Sequence, residues 1–317
     1  TAFEKMLEIK GDSDHTKLID MLTDLNDYSI GIEDVLKEHF DEENIVYWMA
    51  FQILMGNVDT QNRNVYLYSP LNSDIWYFIA WDNDGCLMRP EYELRNFSDQ
   101  NSWEKGISNY WGNILFQRCL KSRSFREKLN DAILDLREYL NKDMLTSKIE
   151  SYKNVLKPYL YLMPDAEYEP LTSEQYDQIA ASLPDEIEKN YQLYLESLET
   201  PMPFYIGVPT IDGDKLKFNW DVSYDLDAED ITYSVEVARD YLFRDVIYQN
   251  TTLTVPEAEM DLPKAGQYFV RVRATNTSGK TQDAFDYYVT DEGKYYGMRC
   301  FYITEDSTVE EDDYEEG

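Results

Sequence analysis

Four polar residues of this sequence could together form a catalytic or metal-binding site: Asp59, Asn64, Asp82 and Asp84. Asn64 follows Asp59 by five residues in the stretch GNVDTQNRN, and the two later aspartates belong to the stretch DNDG. Phosphoryl transfer needs a carboxylate that orients or deprotonates the acceptor hydroxyl, and oxygen ligands that hold magnesium on the nucleotide phosphates. A D-x-x-x-x-N loop followed by a second aspartate supplies these groups in the order that kinases use.

Other interpretations of the same residues stay open at this point. Asp59 and Asn64 could cap turns, and Asp82–Gly85 could be a simple β-turn. A calcium loop would use Gly85 as its glycine, but its first ligand position would then fall on Ala80, which has no carboxylate. A glycosidase with paired carboxylates is a further alternative, but acidic pairs are too frequent in this composition to indicate one.

The elements before the first motif are predicted to be helical. Residues 13–56 show the apolar periodicity of three helices, and the third is apolar on nearly all sides, which predicts that it is buried. Asp41 is the predicted N-cap of that helix, and Gly56-Asn57 is its predicted end.

A β-hairpin is predicted between the two motifs. Val65–Tyr68 and Ile75–Trp81 are rich in β-branched and aromatic residues, and turn residues separate them. Since a hairpin returns the chain to its starting point, it is predicted to bring Asp82 and Asp84 back beside the Asp59 stretch.

The rest of the sequence divides into a helical part and a strand-rich part. Residues 103–200 are predicted to be helical, with helices at about 143–161 and 172–198, and Pro201 and Pro203 mark a linker. Beyond Phe204, short strands at regular spacing predict an antiparallel sandwich. They are expected at Leu216–Trp220, Tyr233–Ala238, Thr252–Val255, Tyr268–Ala274 and Ala284–Val289.

The predicted fold class is therefore a multidomain α+β protein. A mainly helical domain with a β-hairpin would occupy residues 1–200, and an all-β sandwich would occupy residues 204–303. Residues 304–317 are strongly acidic and poor in apolar residues, which predicts a disordered tail.

Composition excludes several function classes. The 317 residues include 62 acidic and 29 basic ones, a formal net charge of −33 that repels nucleic acid and anionic membranes but suits divalent cations or basic protein substrates. The odd set Cys86, Cys119 and Cys300 contains no CxxC pair and indicates neither a disulfide framework nor a zinc cage. His15 and His39 are predicted surface residues. No apolar run is long enough to span a membrane, so no membrane insertion is expected.

The stretch GNVDTQNRNVYLY…IWYFIAWDNDG resembles the signature of the CotH family of secreted, spore-coat-associated atypical kinases. The segment WGNILFQRCLKSRSFREKLNDAILDLREYL is also similar to that family, and the similarity covers about residues 3–198. The resemblance implies that Asp59 is the catalytic-loop aspartate, that Asn64 is the metal-binding asparagine, and that Asp82 or Asp84 is the metal-binding aspartate. It also implies magnesium or manganese and ATP as cofactors.

Activity and location are further implications of the resemblance. It implies phosphate transfer from ATP to a hydroxyl of a protein substrate, such as a cell-envelope or spore-coat protein, at an extracytoplasmic site. Family kinases have an N-terminal lobe with a phosphate-covering loop and a strand lysine, and neither precedes Asp59 in this sequence. We therefore expect a C-terminal lobe that by itself transfers little or no phosphate. The alternative is a catalytically inactive structural or adhesion module of the cell envelope.

Residues 204–290 resemble fibronectin type III modules. Trp220 lies at the position of the core tryptophan, and Tyr268 in DLPKAGQYFVRVRATNTSG matches the tyrosine corner, which fixes a turn through its hydroxyl. The resemblance implies core packing for both residues and a spacing or partner-binding role for the module.

Overall fold

Three helices begin the described part of the chain, which in this computed structural model comprises residues 14–61, 64–94, 103–291 and 293–311. They are α1 (Thr16–Asn26), α2 (Ile32–His39) and α3 (Glu42–Met55). The Asp41 side chain accepts a hydrogen bond from the backbone N–H of Asn44 at 2.9 Å, as predicted for the N-cap of α3. Gly56 ends the helix in the left-handed conformation, with φ of 60°.

Helix α3 forms the centre of the helical lobe, residues 14–198. Its apolar side chains are buried nearly all round, as its sequence predicts, because other helices and a β-hairpin pack on several of its sides. His39, at the end of α2, is buried as well, and its Nε2 atom lies 2.8 Å from Oδ2 of Asp24. The prediction of a surface position for His39 is therefore wrong, because this hydrogen-bond partner allows the ring to be buried.

The predicted hairpin is present and is attached to the lobe. It consists of β1 (Tyr66–Tyr68) and β2 (Tyr77–Ile79), which pair antiparallel. The Asn44 side chain bonds both backbone groups of Phe78, donating to its carbonyl oxygen at 3.1 Å and accepting from its N–H at 2.7 Å. These bonds fix the return strand on α3 and so determine where the following residues lie.

Six more helices complete the lobe within the described ranges. They are α4 (Arg89–Leu94), α5 (Ile114–Lys121), α6 (Arg123–Tyr139), α7 (Lys142–Leu160), α8 (Ser173–Ser182) and α9 (Glu186–Leu198). The single helix predicted at 172–198 is two helices, because a 3-10 turn with Pro184 interrupts it. None of the helices in the described ranges is long and apolar enough to cross a membrane.

Two larger antiparallel sheets and a separate hairpin, β10–β11, make up the β unit, residues 204–311. Its strands are β3 (Thr210–Asp212), β4 (Lys215–Asn219), β5 (Ile231–Ala238), β6 (Val246–Leu253), β7 (Glu257–Asp261), β8 (Gly266–Asn276), β9 (Thr281–Asp283), β10 (Tyr287–Thr290), β11 (Gly293–Tyr296), β12 (Met298–Ile303) and β13 (Val309–Glu311). The larger sheet has the order β13-β12-β8-β5-β6, with β9 also on β8, and the smaller sheet has the order β3-β4-β7. Side chains from both sheets form one apolar core, which includes Phe218, Val235 and Val270.

A β-strand lies in the segment that composition predicts to be disordered. Strand β13 pairs with β12, with Ile303 opposite Val309, and Val309 packs against the core of the β unit. Glu311 also pairs with Arg299 at 2.8 Å. The prediction of disorder is therefore wrong for residues 309–311, because backbone pairing and one apolar contact outweigh the local charge. Residues 312–317 lie outside the described residues.

The helical lobe and the β unit share an interface, which we call the seam. Phe285 of the β unit belongs to the core of the lobe, and the Trp103 ring lies 5.2 Å from the Phe285 ring and 6.2 Å from the Tyr296 ring, centroid to centroid. Tyr296 belongs to the hairpin β10–β11, in which it lies opposite Tyr287. The predicted linker is buried in the seam, where Met202 is fully inaccessible.

Candidate functional site

The Asp59 loop, residues 57–61, follows directly on the end of α3. Asn57 is buried, and its side-chain N–H donates to Oε1 of Gln52 at 2.9 Å. Its side-chain oxygen accepts from the backbone N–H of Asp59 at 3.2 Å. Because Gln52 is itself buried within α3, the backbone of Asp59 is anchored to the central helix of the lobe.

Polar side chains of Asn109 and Tyr110 make further contacts with the same loop. The Thr60 hydroxyl lies 3.0 Å from the Tyr110 hydroxyl, and Asn109 donates to the carbonyl oxygen of Val58 at 3.4 Å. Complete burial raises the pKa of Tyr110 far above its usual range, so its hydroxyl stays protonated and keeps its hydrogen-bonding role. Both supports fix the loop in one conformation.

The acidic turn, residues 82–85, packs directly against the Asp59 loop. Asn83 accepts from the Gln52 side chain at 3.0 Å and from the Asn57 side chain at 3.4 Å. A Cβ atom at Gly85 would lie 2.9 Å from Oδ2 of Asp59 and 2.9 Å from Oδ1 of Asn57. Only glycine allows this approach without displacing a neighbour.

The carboxylates of the two segments influence one another electrostatically. The pKa of Asp82 is raised, chiefly by the Asp84 carboxylate, with desolvation and the Asp59 carboxylate adding to the effect. Burial raises the pKa of the Cys86 thiol to about 12, and the same two carboxylates, Asp84 and Asp59, contribute. Asp59, Asp82 and Asp84 therefore occupy one region, where a bound cation would relieve their mutual repulsion.

Asn64 lies at the open end of the hairpin. Tyr66 pairs with Ile79, and the Tyr66 ring lies 5.6 Å from the ring of Trp81. Asn64 comes two residues before β1, at the end of the hairpin where β2 leads through Trp81 into Asp82. The structure thus brings Asp59, Asp82 and Asp84 together and places Asn64 at the same end of the hairpin.

Three non-glycine residues around this site have left-handed backbone conformations. Their φ angles are 53° for Asn64, 49° for Asp82 and 57° for Leu87. Leucine rarely adopts positive φ, and such strain persists only where surrounding contacts enforce it. The backbone N–H of Leu87 donates to the carbonyl oxygen of Met55 at 2.8 Å, which is one such contact.

The oxygen atoms of the site are of the kind that magnesium takes as ligands. Among the described residues, no group of three or more His, Cys, Asp or Glu side chains is arranged as a metal cage. Magnesium does not need one, because it usually takes one or two carboxylates and completes its shell with water and phosphate oxygens. Asp82, Asp84 and Asn64 are the residues that could hold it.

A cavity of about 420 Å³ opens beside Asp59 and reaches the β unit. Its wall includes Asp59 and Gly85, the segment up to Arg89, part of α9, and Lys294 and Tyr296 from β11. The cavity therefore lies on the seam, with walls from both parts of the molecule.

A family model described as CotH kinase protein matches residues 1–194. The chain belongs to the CotH kinase family. No curated protein matches it. The solved structures that it resembles include the twitchin kinase region from C. elegans, with 16% identity and a TM-score of 0.22 over 30% of this chain and 20% of that one.

Domains 1–6 of the surface layer protein SbsC also match, with 11% identity and a TM-score of 0.17 over 99% of this chain and 42% of that one. The chain thus spans less than half the length of each of these two structures. At such TM-scores neither likeness carries an argument about fold or function.

Sequence reasoning did not find the polar groups that support the site in this CotH kinase chain. Gln52 carried a usable signal, because it is a buried amide within a helix that is otherwise apolar. Asn57 was assigned only to the helix end, although its side chain holds the Asp59 backbone. Lys294 had no local signal, because only the tertiary fold brings it to the cavity beside Asp59.

Proposed function

We propose that this chain is part of an atypical protein kinase that transfers the γ-phosphate of ATP to a hydroxyl of a protein substrate. Membership in the CotH kinase family supports a kinase-like protein. The observation that carries the finer proposal is the approach of the Asp59 loop to the acidic turn, where Gly85 leaves no space between Asp59 and the backbone. This arrangement sets a candidate base beside candidate metal ligands on a buried support.

In the proposed mechanism Asp59 orients the acceptor hydroxyl and accepts its proton as the phosphate is transferred. The hydrogen bond from its backbone N–H to Asn57 holds the residue in position for this task. Asn64 with Asp82 or Asp84 would hold magnesium or manganese, which when bound neutralises charge on the nucleotide phosphates. Catalysis in this reaction class depends almost entirely on positioning and electrostatic stabilisation.

The β unit is proposed to be a fibronectin type III-like module. The Tyr268 hydroxyl donates to the backbone carbonyl of Lys264 at 2.7 Å, which is the bond of a tyrosine corner. Trp220 is buried between the sheets, in contact with the Tyr233 ring. We further propose an extracytoplasmic location, which the association of the family with the spore coat supports.

The test measures transfer of labelled γ-phosphate by the protein at its full natural length. Asp59→Asn should lower the rate by about 100-fold or more, as expected for loss of a catalytic base. Asp74→Asn is the matched control, because Asp74 is an exposed aspartate at the turn of the same hairpin. Undiminished transfer by Asp59→Asn would overturn the assignment, and no transfer by the wild-type protein would favour the structural or adhesion module.

A further inference from the structure

The cavity on the seam differs in charge from the rest of the molecule. Its wall carries as many cations as carboxylates, although acidic residues outnumber basic ones 62 to 29 in the sequence. The cations are Arg89, Lys105 and Lys294, and the carboxylates are Asp59, Glu104 and Glu186. The net charge of −33 by itself favours basic substrates, but the cations held beside the proposed catalytic aspartate indicate local recognition of negative charge.

Two of the three cations have carboxylate partners. Arg89 pairs with Glu186 at 3.0 Å and also donates to Asn190 at 2.6 Å. Lys105 pairs with Glu196 at 3.3 Å. These pairs fix the shape of the wall and leave little charge for a ligand.

Lys294 is the exception among the described residues, since none of their carboxylates pairs with it. Lys294 is exposed, and its Nζ atom lies 4.9 Å from the centre of the Tyr287 ring, on the partner strand of the same hairpin. An ammonium over an aromatic face retains its capacity to bind an anion. Lys294 therefore brings an available positive charge to a cavity that Asp59 also lines.

The position of the hairpin in the cavity wall is fixed by the seam. The Tyr296 ring of β11 packs on Trp103, and the Gly297 N–H donates to the carbonyl oxygen of Asp286 at 2.7 Å. Leu87 also lines the cavity, and its left-handed backbone sets the course of the segment between the acidic turn and α4. A volume of about 420 Å³ lies within the range of pockets for drug-sized ligands, which is large enough for one or two side chains of a peptide.

We propose that this cavity is the acceptor site and that the β unit contributes its specificity residue, Lys294. The preferred acceptor is a hydroxyl-bearing residue with an acidic side chain close to it in the peptide. The hydroxyl would meet Asp59, and the neighbouring carboxylate would pair with Lys294. This inference rests on the proposed kinase function and adds the substrate class and the role of the β unit.

Peptide binding tests the proposal without ATP, so it does not depend on phosphate transfer. Three labelled peptides with one serine, flanked by aspartates, alanines or lysines, are titrated with the whole chain while fluorescence anisotropy is recorded. The wild-type chain should bind the aspartate peptide about two- to fivefold more tightly than the alanine peptide, as expected for an exposed ion pair. A preference for the lysine peptide, or no preference, would overturn the proposal.

Charge reversal identifies the residue responsible. Lys294→Glu should abolish the preference for the aspartate peptide, whereas Lys264→Glu should leave it within about twofold of wild type, as expected for a screened surface charge. Lys264 is an exposed lysine of the same unit, two residues before β8, whose first residue pairs with Ile303. Lys264→Glu changes the net charge by the same amount as Lys294→Glu. Equal effects of the two variants would show that the overall field, not Lys294, sets the preference.

Hydrogen exchange gives a readout that does not require a variant. Binding of the aspartate peptide should slow amide exchange in residues 293–296 and around Leu87. Slower exchange only at distant strands would contradict the location. If the chain binds the peptide in this way but the protein at its full natural length never transfers phosphate, the kinase function is refuted and the binding site is kept, so the two failures are distinguishable.

Discussion

At the scale of single residues, Gly85 limits what the site can tolerate. Because its Cα lies against the side chains of Asp59 and Asn57, even one methyl group would have to displace both. We expect Gly85→Ala to lower the free energy of unfolding by about 1–3 kcal/mol, the usual cost of overpacking. Phosphate transfer should fall as well, since the displaced group is the proposed base.

Denaturant unfolding and the transfer assay check this prediction together. Gly112→Ala is the control, because a Cβ atom at Gly112 would meet its nearest neighbours at an ordinary 3.5 Å. If Gly85→Ala and Gly112→Ala behave alike in both measurements, the close approach of Gly85 to Asp59 affects neither stability nor transfer.

Tyr268 offers a test of a single hydrogen bond. Removing its hydroxyl in Tyr268→Phe leaves the ring in the core but removes the bond to the Lys264 carbonyl. The free energy of unfolding should fall by about 0.5–1.5 kcal/mol, the net worth of one such bond. A variant as stable as the wild type in urea would show that the tyrosine corner contributes nothing to this unit.

At the scale of elements, strand β13 shows that an acidic segment can be structured by its neighbours. We expect a chain that ends at Asp306 to lose the protection of β12, because Phe301–Ile303 would then form the edge of the sheet. Amide exchange in these residues should quicken by about tenfold or more, which corresponds to the loss of about 1.4 kcal/mol of local stability. Unchanged exchange in β12 would mean that β13 pairs only weakly.

Most elements of the lobe could be predicted because their signals are local. The apolar periodicity and caps of α3 and the turn residues of the hairpin depend on neighbours in the sequence, and the structure has both. The break between α8 and α9 was missed, although Pro184 marks it. Strand β6 begins at Val246 rather than near Thr252, because an edge strand with polar outward residues has little apolar alternation to reveal it.

Part of the candidate site could likewise be predicted from local sequence, and part of it could not. Asp59, Asn64, Asp82 and Asp84 could be proposed from spacing and from the resemblance to a family, because the hairpin that joins them is local. The seam and Lys294 could not, since they depend on contacts between residues far apart along the chain, such as Trp103 and Phe285. No periodicity within either segment encodes which surfaces meet.

At the scale of the whole molecule, the seam predicts that the lobe and the β unit unfold together. Phe285 is buried in the core of the lobe although it belongs to the β unit. Phe285→Ala should cost about 3–5 kcal/mol, as for other large aromatic truncations, and should split one thermal transition into two. Phe218→Ala, within the core of the β unit, is the control and should shift a single transition. Two transitions in the wild type would contradict a coupled seam.

Proteolysis should reflect the same coupling. The linker is buried, with Met202 donating its N–H to the Tyr224 carbonyl at 2.7 Å and the Ser223 hydroxyl donating to the Met202 carbonyl. Limited digestion should therefore spare residues 200–204 in the wild type and cut there only after Phe285→Ala. Early cleavage of the wild type at these residues would show that the linker opens on its own.

The burial of Phe285 in the lobe also has a consequence for inheritance. A module that only spaces its neighbours can be exchanged for another by recombination at the linker. In this chain such an exchange would remove an aromatic side chain from the lobe core and one wall from the cavity beside Asp59. Relatives that changed their β unit would need a new residue to fill the gap left by Phe285. We therefore expect the lobe and the β unit to have been inherited together during evolution, and residues 284–296 to covary with the residues around Trp103.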